Sequence, residues 1–131
     1  STSEKSFFTD MLFRLNAQPE DVEDIYFTGG IASTNKTDFY VEYRGVDNRW
    51  HNYFPDFIVK LKSGKFLIVE IKATSERDDP TVGENGTKAM AVRRWENLNP
   101  EKLKYRMIFA DSSIPVNEIE DAMKDLKVLA S

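Results

Sequence analysis

The sequence predicts an α/β (α+β) chain, a central sheet flanked by helices, in one domain spanning 1–131. Three observations lead there. Apolar residues recur at helical spacing near both ends and in one stretch of the second half. Between those stretches lie short runs rich in aromatic and β-branched residues, bounded by glycine, asparagine and proline. The length of 131 residues suits one domain with a real core, and 40% hydrophobic with 31% charged residues is ordinary for a soluble globular chain.

Taken in order, residues 3–16 read as a helix, with Ser3 as N-cap and Phe8, Met11, Leu12 and Leu15 on one stripe. Glu4 lies on that stripe, one turn before Phe8; the helix dipole alone also favours an acid in a first turn. Residues 19–24 read as an acidic connector. Residues 25–27 and 37–43 read as short strands, with Gly29-Gly30 and Asn35-Lys36 as breaks and Asp38 and Glu42 on a solvated face. Two longer strand runs follow, 50–62 and 65–73. Residues 73–86 form a polar loop, either a plain surface loop or a segment able to close over a neighbouring site. A helix over 87–98 carries Lys88, Ala91, Val92, Trp95 and Leu98 on one stripe, with Arg93 and Arg94 on the outward side. Residues 105–110 give an apolar strand that completes the sheet. Pro115 opens a final helix, 116–129, whose packing positions are Ile119, Met123, Leu126 and Val128. No internal repeat or low-complexity tract interrupts this order.

The informative segment is Tyr53-Phe54-Pro55-Asp56-Phe57-Ile58-Val59 followed by Phe66-Leu67-Ile68-Val69-Glu70-Ile71-Lys72. Lys62, Ser63, Gly64 and Lys65 form a turn signal between the two runs, so they should pair as a hairpin. Side chains alternate along a strand, so Glu70 and Lys72 share a face and Ile71 takes the other. Pairing about Ser63-Gly64 brings Asp56 opposite residues 70–72. Pro55 has no N–H, which suits a strand edge or bulge beside Asp56. Two carboxylates and an ammonium set among apolar strands are costly to bury without a compensating partner. Two carboxylates with a main-chain carbonyl are the hard oxygen ligands that hold Mg²⁺ or Mn²⁺. Such an ion polarises a phosphoryl oxygen and acidifies bound water, and Lys72 is placed to orient that water or to stabilise developing charge.

The pattern Pro55-Asp56 with Glu70-Ile71-Lys72 resembles the PD-(D/E)XK nuclease superfamily, which includes restriction endonucleases and many repair and recombination nucleases. The resemblance implies catalytic roles for Asp56, Glu70 and Lys72. It implies metal ligation by Asp56, Glu70 and the Ile71 main-chain carbonyl, with Glu4 at the position of an additional acid. The predicted order matches the αβββαβ core of that restriction-endonuclease-like superfamily, a central mixed sheet flanked by helices, with one extra C-terminal helix. The chain looks most like the C-terminal endonuclease domain of type III restriction enzyme subunits and related helicase-linked nucleases. Ser3-Glu4, Tyr53-Phe54 before the motif, Gly64-Lys65, and Lys88 with Trp95 carry that finer likeness over residues 3–110. Its implied activity is metal-dependent hydrolysis of nucleic acid, with double-stranded DNA expected. Its implied partners are a helicase or translocase module in the same polypeptide and, for double-strand cleavage, a second copy of the chain. No Walker-type glycine-rich loop is present in the sequence, so ATP use would belong to another part of the polypeptide. Ser1 in place of an initiating methionine fits a domain cut from something larger.

Net charge is −4, but its distribution is uneven. Residues 49–107 carry twelve basic and eight acidic side chains, against four and nine over 1–48 and two and five over 108–131. The motif segment is the positive part of an acidic chain, and local potential steers a polyanion better than the total. Lys88, Arg93 and Arg94 are the candidate phosphate contacts. With no cysteine there is no disulfide framework, thiolate metal site or cysteine nucleophile. No apolar run is long enough for a membrane span and no signal peptide is visible, so a cytoplasmic location without a membrane partner is expected. His51, the sole histidine, falls on the opposite strand face from Asp56 and reads as structural or surface. Two readings stand beside the enzyme: a nuclease-fold module that binds nucleic acid without catalysis, and a structural or interaction domain of a larger assembly.

Overall fold

A strand as continuously apolar as Phe66-Leu67-Ile68-Val69 must be covered on both faces, and the fold is arranged to do so. The computed structural model describes residues 5–7, 9–10, 22–27 and 40–130. Its strands are β1 (Val22–Phe27), β2 (Val41–Arg44), β3 (Trp50–Tyr53), β4 (Phe57–Leu61), β5 (Phe66–Lys72) and β6 (Leu103–Phe109). A middle helix spans Thr87–Leu98 and a C-terminal helix Val116–Ala130, and residues 5–7 and 9–10 are helical near the N-terminus. The class is α+β. A four-stranded mixed sheet runs in the order β1-β4-β5-β6, and β2 and β3 form a separate two-stranded sheet.

β4 and β5 are antiparallel with Phe57 opposite Val69 and Lys60 opposite Phe66. The Leu61 amide donates to the Lys65 carbonyl at 2.8 Å, closing a short turn in which Gly64 takes φ 86°. That left-handed backbone favours glycine, and it sets the register of everything beyond the turn. β5 and β6 are parallel, Ile68 beside Tyr105 and Glu70 beside Met107, and the middle helix makes the crossover between them.

Because side chains alternate, β5 serves two cores. Leu67, Val69 and Ile71 pack with Phe57, Val59, Phe7, Ile108 and the C-terminal helix. Ile68 faces the other way, into a cluster with Tyr53, Val41, Tyr43, Ala89, Val92 and Tyr105. The sheet is thus sandwiched between the terminal helical segments on one side and the β2–β3 hairpin with the middle helix on the other.

The structure departs from the sequence expectation in several places. Residues 50–62 are two strands in two sheets, because Pro55 cannot donate to a ladder and biases Phe54 away from regular continuation. β1 begins at Val22, inside the stretch expected to be an acidic connector, and it pairs with β4 through Leu61. The strand expected at 37–43 is β2, ending one residue later; 37–39 lie outside the described residues. On the C-terminal helix Ile119, Ala122, Leu126 and Leu129 are buried while Val128 is exposed, since the true stripe follows a 3–4–3 spacing. Leu98 at the end of the middle helix is also exposed. Ser3, Phe8, Met11, Leu12 and Leu15 lie outside the described residues. No helix among the described residues is long and apolar enough to cross a membrane.

Ile68 is 0% exposed at the centre of the hairpin-side core. Ile68→Ala is expected to lower unfolding stability by about 2–5 kcal/mol, read as a reduced urea midpoint with an unchanged slope.

Candidate functional site

Glu70 is the one buried charged side chain among the described residues, at 2% exposure. It sits on β5 on the face opposite Val69 and Ile71, one alternation beyond Ile68. Burying a carboxylate there demands donors for both of its oxygens, and the surrounding elements supply them. Lys72, on the same face two residues on, brings Nζ to 3.0 Å from Oε1. The Tyr53 hydroxyl, at the end of β3, donates to Oε2. The Asp56 amide donates to the same oxygen at 3.1 Å.

The register explains the last contact. Asp56 precedes the first residue of β4, and the Phe57–Val69 pair puts it across from Glu70. The break at Pro55 lifts the Asp56 amide out of regular pairing and aims it at the Glu70 side chain. The relation is reciprocal: the Ile71 amide donates to Asp56 Oδ2 at 3.1 Å. In an extended strand the N–H and C=O of one residue point to the same edge, so the Ile71 carbonyl shares that edge with Asp56. The Lys72 carbonyl, one residue on, faces the other edge and accepts the Ala110 amide at 2.9 Å.

Electrostatics follow from the same contacts. Burial by itself pushes the Lys72 ammonium towards deprotonation, but the Glu70 carboxylate beside it, with Asp56 and Glu76, outweighs this and raises its pKa above the ordinary lysine value. Burial drives the Tyr53 phenol well above its ordinary value, and the neighbouring Glu70 charge adds to this. The phenol therefore stays protonated and acts as a donor. Burial likewise raises the Tyr105 phenol, with Glu70 again contributing. The Tyr105 hydroxyl has no hydrogen-bond partner among the described residues.

Lys88, in the first turn of the middle helix, brings its ammonium over the rings of Tyr53 at 5.2 Å and Tyr43 at 5.9 Å. It reaches the rim of the Glu70 cluster through Tyr53. Arg94 is exposed and lines a groove of about 320 Å³ with Tyr40, Trp95 and Leu98. Arg93 is not on an outward face as its helical position suggested. The side chain is half-buried, with its guanidinium 5.2 Å from the Tyr105 ring centroid. Glu4 lies outside the described residues. His51 stacks on Tyr43 and pairs with Asp47 at 2.9 Å.

The loop after β5 is fastened rather than loose. Thr74 donates to Asp111 through its amide at 3.1 Å and its hydroxyl at 2.8 Å, and Arg77 pairs with Glu84 at 2.7 Å. Gly83 packs so closely that a Cβ there would lie 2.3 Å from the Arg77 carbonyl. Asp79 is held below the usual carboxylate range by the Val82 and Thr81 amides, with Lys72 and Lys88 among its neighbouring charges.

Asp56, Glu70 and Lys72 converge as the sequence spacing led one to expect, but Tyr53 as the donor to Glu70 was not anticipated. The available signal was a phenol on an inward strand position, which needs a buried partner for its hydroxyl. Among the described residues there is no group of three or more His, Cys, Asp or Glu arranged to hold a metal; the two carboxylates stand as a pair.

Lys72→Met would leave Glu70 buried with only its Tyr53 and Asp56 donors. With Lys72 22% exposed, a loss of about 3 kcal/mol in unfolding free energy is expected. The pH dependence has a definite sign. The folded pKa of Lys72 is raised, so its contribution is complete below the unfolded lysine value of about 10.4 and disappears as pH rises through the folded value. Tyr53 and Tyr105, also raised, act in the same direction. Urea midpoints should fall above about pH 10, less steeply in Lys72→Met than in wild type.

Comparison with protein-family models, with curated proteins and with solved structures finds no match to this chain.

Proposed function

We propose that this chain is a metal-dependent endonuclease domain that hydrolyses phosphodiester bonds of nucleic acid, with double-stranded DNA as substrate and Mg²⁺ or Mn²⁺ as cofactor. The observation that carries the reading is the reciprocal lock between Asp56 and Glu70 with Lys72 on the same carboxylate: Asp56 amide to Glu70 at 3.1 Å, Ile71 amide to Asp56 at 3.1 Å, Lys72 to Glu70 at 3.0 Å. These are the three side chains that the superfamily motif requires, and they meet at the β4–β5 hairpin, Asp56 just ahead of β4 and Glu70 and Lys72 on β5. The main sheet supports the same reading: helical residues, three strands, a crossover helix and a parallel strand occur in the αβββαβ order, with β2 and β3 inserted as an extra hairpin.

The donor chemistry fits a hard divalent cation. Mg²⁺ is held in many sites by one or two carboxylates, with waters and substrate phosphates filling the remaining positions, so a pair of acids suffices. Asp56, Glu70 and the Ile71 carbonyl would hold it. When bound, it supplies Lewis-acid polarisation of the phosphoryl group and a more acidic water. Lys72 keeps its proton at neutral pH and serves as a hydrogen-bond donor that orients the nucleophile or stabilises charge on the phosphate. Lys88 and exposed Arg94 extend positive charge along the middle helix for contact with the phosphate backbone.

One observation favours the second reading, a nuclease fold that binds nucleic acid without cutting it. Both Glu70 oxygens are already engaged by protein donors, as they are in purely structural buried ion pairs. Cleavage separates the two. Supercoiled plasmid incubated with Mg²⁺ or Mn²⁺ should be nicked by the wild-type domain. Asp56→Ala and Lys72→Ala, checked for folding by circular dichroism, should lower the rate by about 10²-fold or more. Intact plasmid with every protein would favour the binding module.

A further inference from the structure

We infer that Tyr53 is a positioning residue for Glu70, holding that carboxylate in the orientation that receives a divalent cation. The inference rests on the nuclease reading above and adds to it a residue outside the superfamily motif. Tyr53 is 2% exposed and wedged among Ile68, Val92 and Tyr105, so its ring cannot turn away. Its hydroxyl donates to Glu70 Oε2, the oxygen that also accepts the Asp56 amide. Two donors from different elements, one on the β2–β3 hairpin and one at the Pro55 break, thus converge on a single oxygen. Oε1 is left directed at Lys72, at 3.0 Å.

A glutamate on a strand has three side-chain torsions, and fixing them is entropically unfavourable unless neighbours do it in advance. Tyr53 does so before any ligand arrives. Partners that orient a metal-binding side chain in this way are worth about 10- to 100-fold in metal affinity. The same bond ties the separate hairpin to the sheet, on the β3 side of the Pro55 break.

Tyr105 provides the internal control. It is a second buried phenol, 7% exposed in the same cluster, and its hydroxyl has no hydrogen-bond partner among the described residues. Its hydroxyl lies by Tyr53 and not on Glu70, so removing it changes packing and phenol count equally but takes no direct hydrogen bond from the carboxylate. The test is calorimetric titration of Mn²⁺ into the metal-free domain for wild type, Tyr53→Phe and Tyr105→Phe, with thermal unfolding recorded on each. The expected result is affinity weakened by about 10- to 100-fold in Tyr53→Phe and unchanged in Tyr105→Phe. Wild-type affinity in Tyr53→Phe overturns the inference while leaving the metal site standing. Equal weakening in both variants also overturns it, because packing alone would then be responsible. No binding by wild type overturns the nuclease reading itself and this inference with it. Should Tyr53→Phe fail to fold, site-specific 2,3-difluorotyrosine at position 53 keeps ring and hydroxyl but changes donor strength. A shifted Mn²⁺ affinity then supports the assignment, and an unshifted one overturns it.

Discussion

The burial of Glu70 is the constraint on which this structure turns. A carboxylate at 2% exposure, between apolar strand residues, has to be matched by donors on every accessible side. Lys72 supplies charge, Tyr53 and the Asp56 amide supply hydrogen bonds, and each comes from a different part of the chain. The break at Pro55, the departure of β3 into its own sheet, and the start of β4 at Phe57 all serve this convergence. Charge-assisted hydrogen bonds of this kind contribute about 1.5–3 kcal/mol each, so losing any one is felt in the whole fold.

The two faces of β5 divide the labour. Leu67, Val69 and Ile71 bind the sheet to the terminal helical segments and hold it rigid. Phe66, Ile68, Glu70 and Lys72 face the hairpin and middle helix, progressing from apolar at one end to charged at the other. Rigid placement of the polar end is therefore a direct consequence of packing at the apolar end. The middle helix adds Lys88 over the Tyr43 and Tyr53 rings and Arg93 over Tyr105, so aromatic residues that build the core also set where the cations stand.

Much of this was legible in the sequence. Period-2 alternation and a glycine turn at Gly64 determine which residues of β4 and β5 face each other, and the register found, Phe57 with Val69, places Asp56 opposite Glu70, within the 70–72 window that the spacing implied. The helix over Thr87–Leu98 is also as read. What was not legible depended on contacts distant in sequence. Residues on either side of Pro55 have the same strand-like composition, so nothing local says that they enter different sheets. β1 lies in an acidic segment whose pairing with β4 overrides its weak local propensity. Val128 and Leu129 differ by one step of helical phase, too fine for a stripe drawn from four residues. Tyr53 was visible only as an aromatic beside the motif; its role depends on where Glu70 ends up.

The most direct measurement of the central claim is anomalous diffraction from crystals of the domain soaked in Mn²⁺, collected where manganese scatters anomalously. The account predicts a peak between the Asp56 and Glu70 carboxylates, on the side of the Ile71 carbonyl, and its loss in Glu70→Gln crystals. A well-ordered site with Lys72 and Tyr53 on Glu70 and no peak beside it would contradict the account, making the cluster a buried ion pair that holds the sheet together and nothing more.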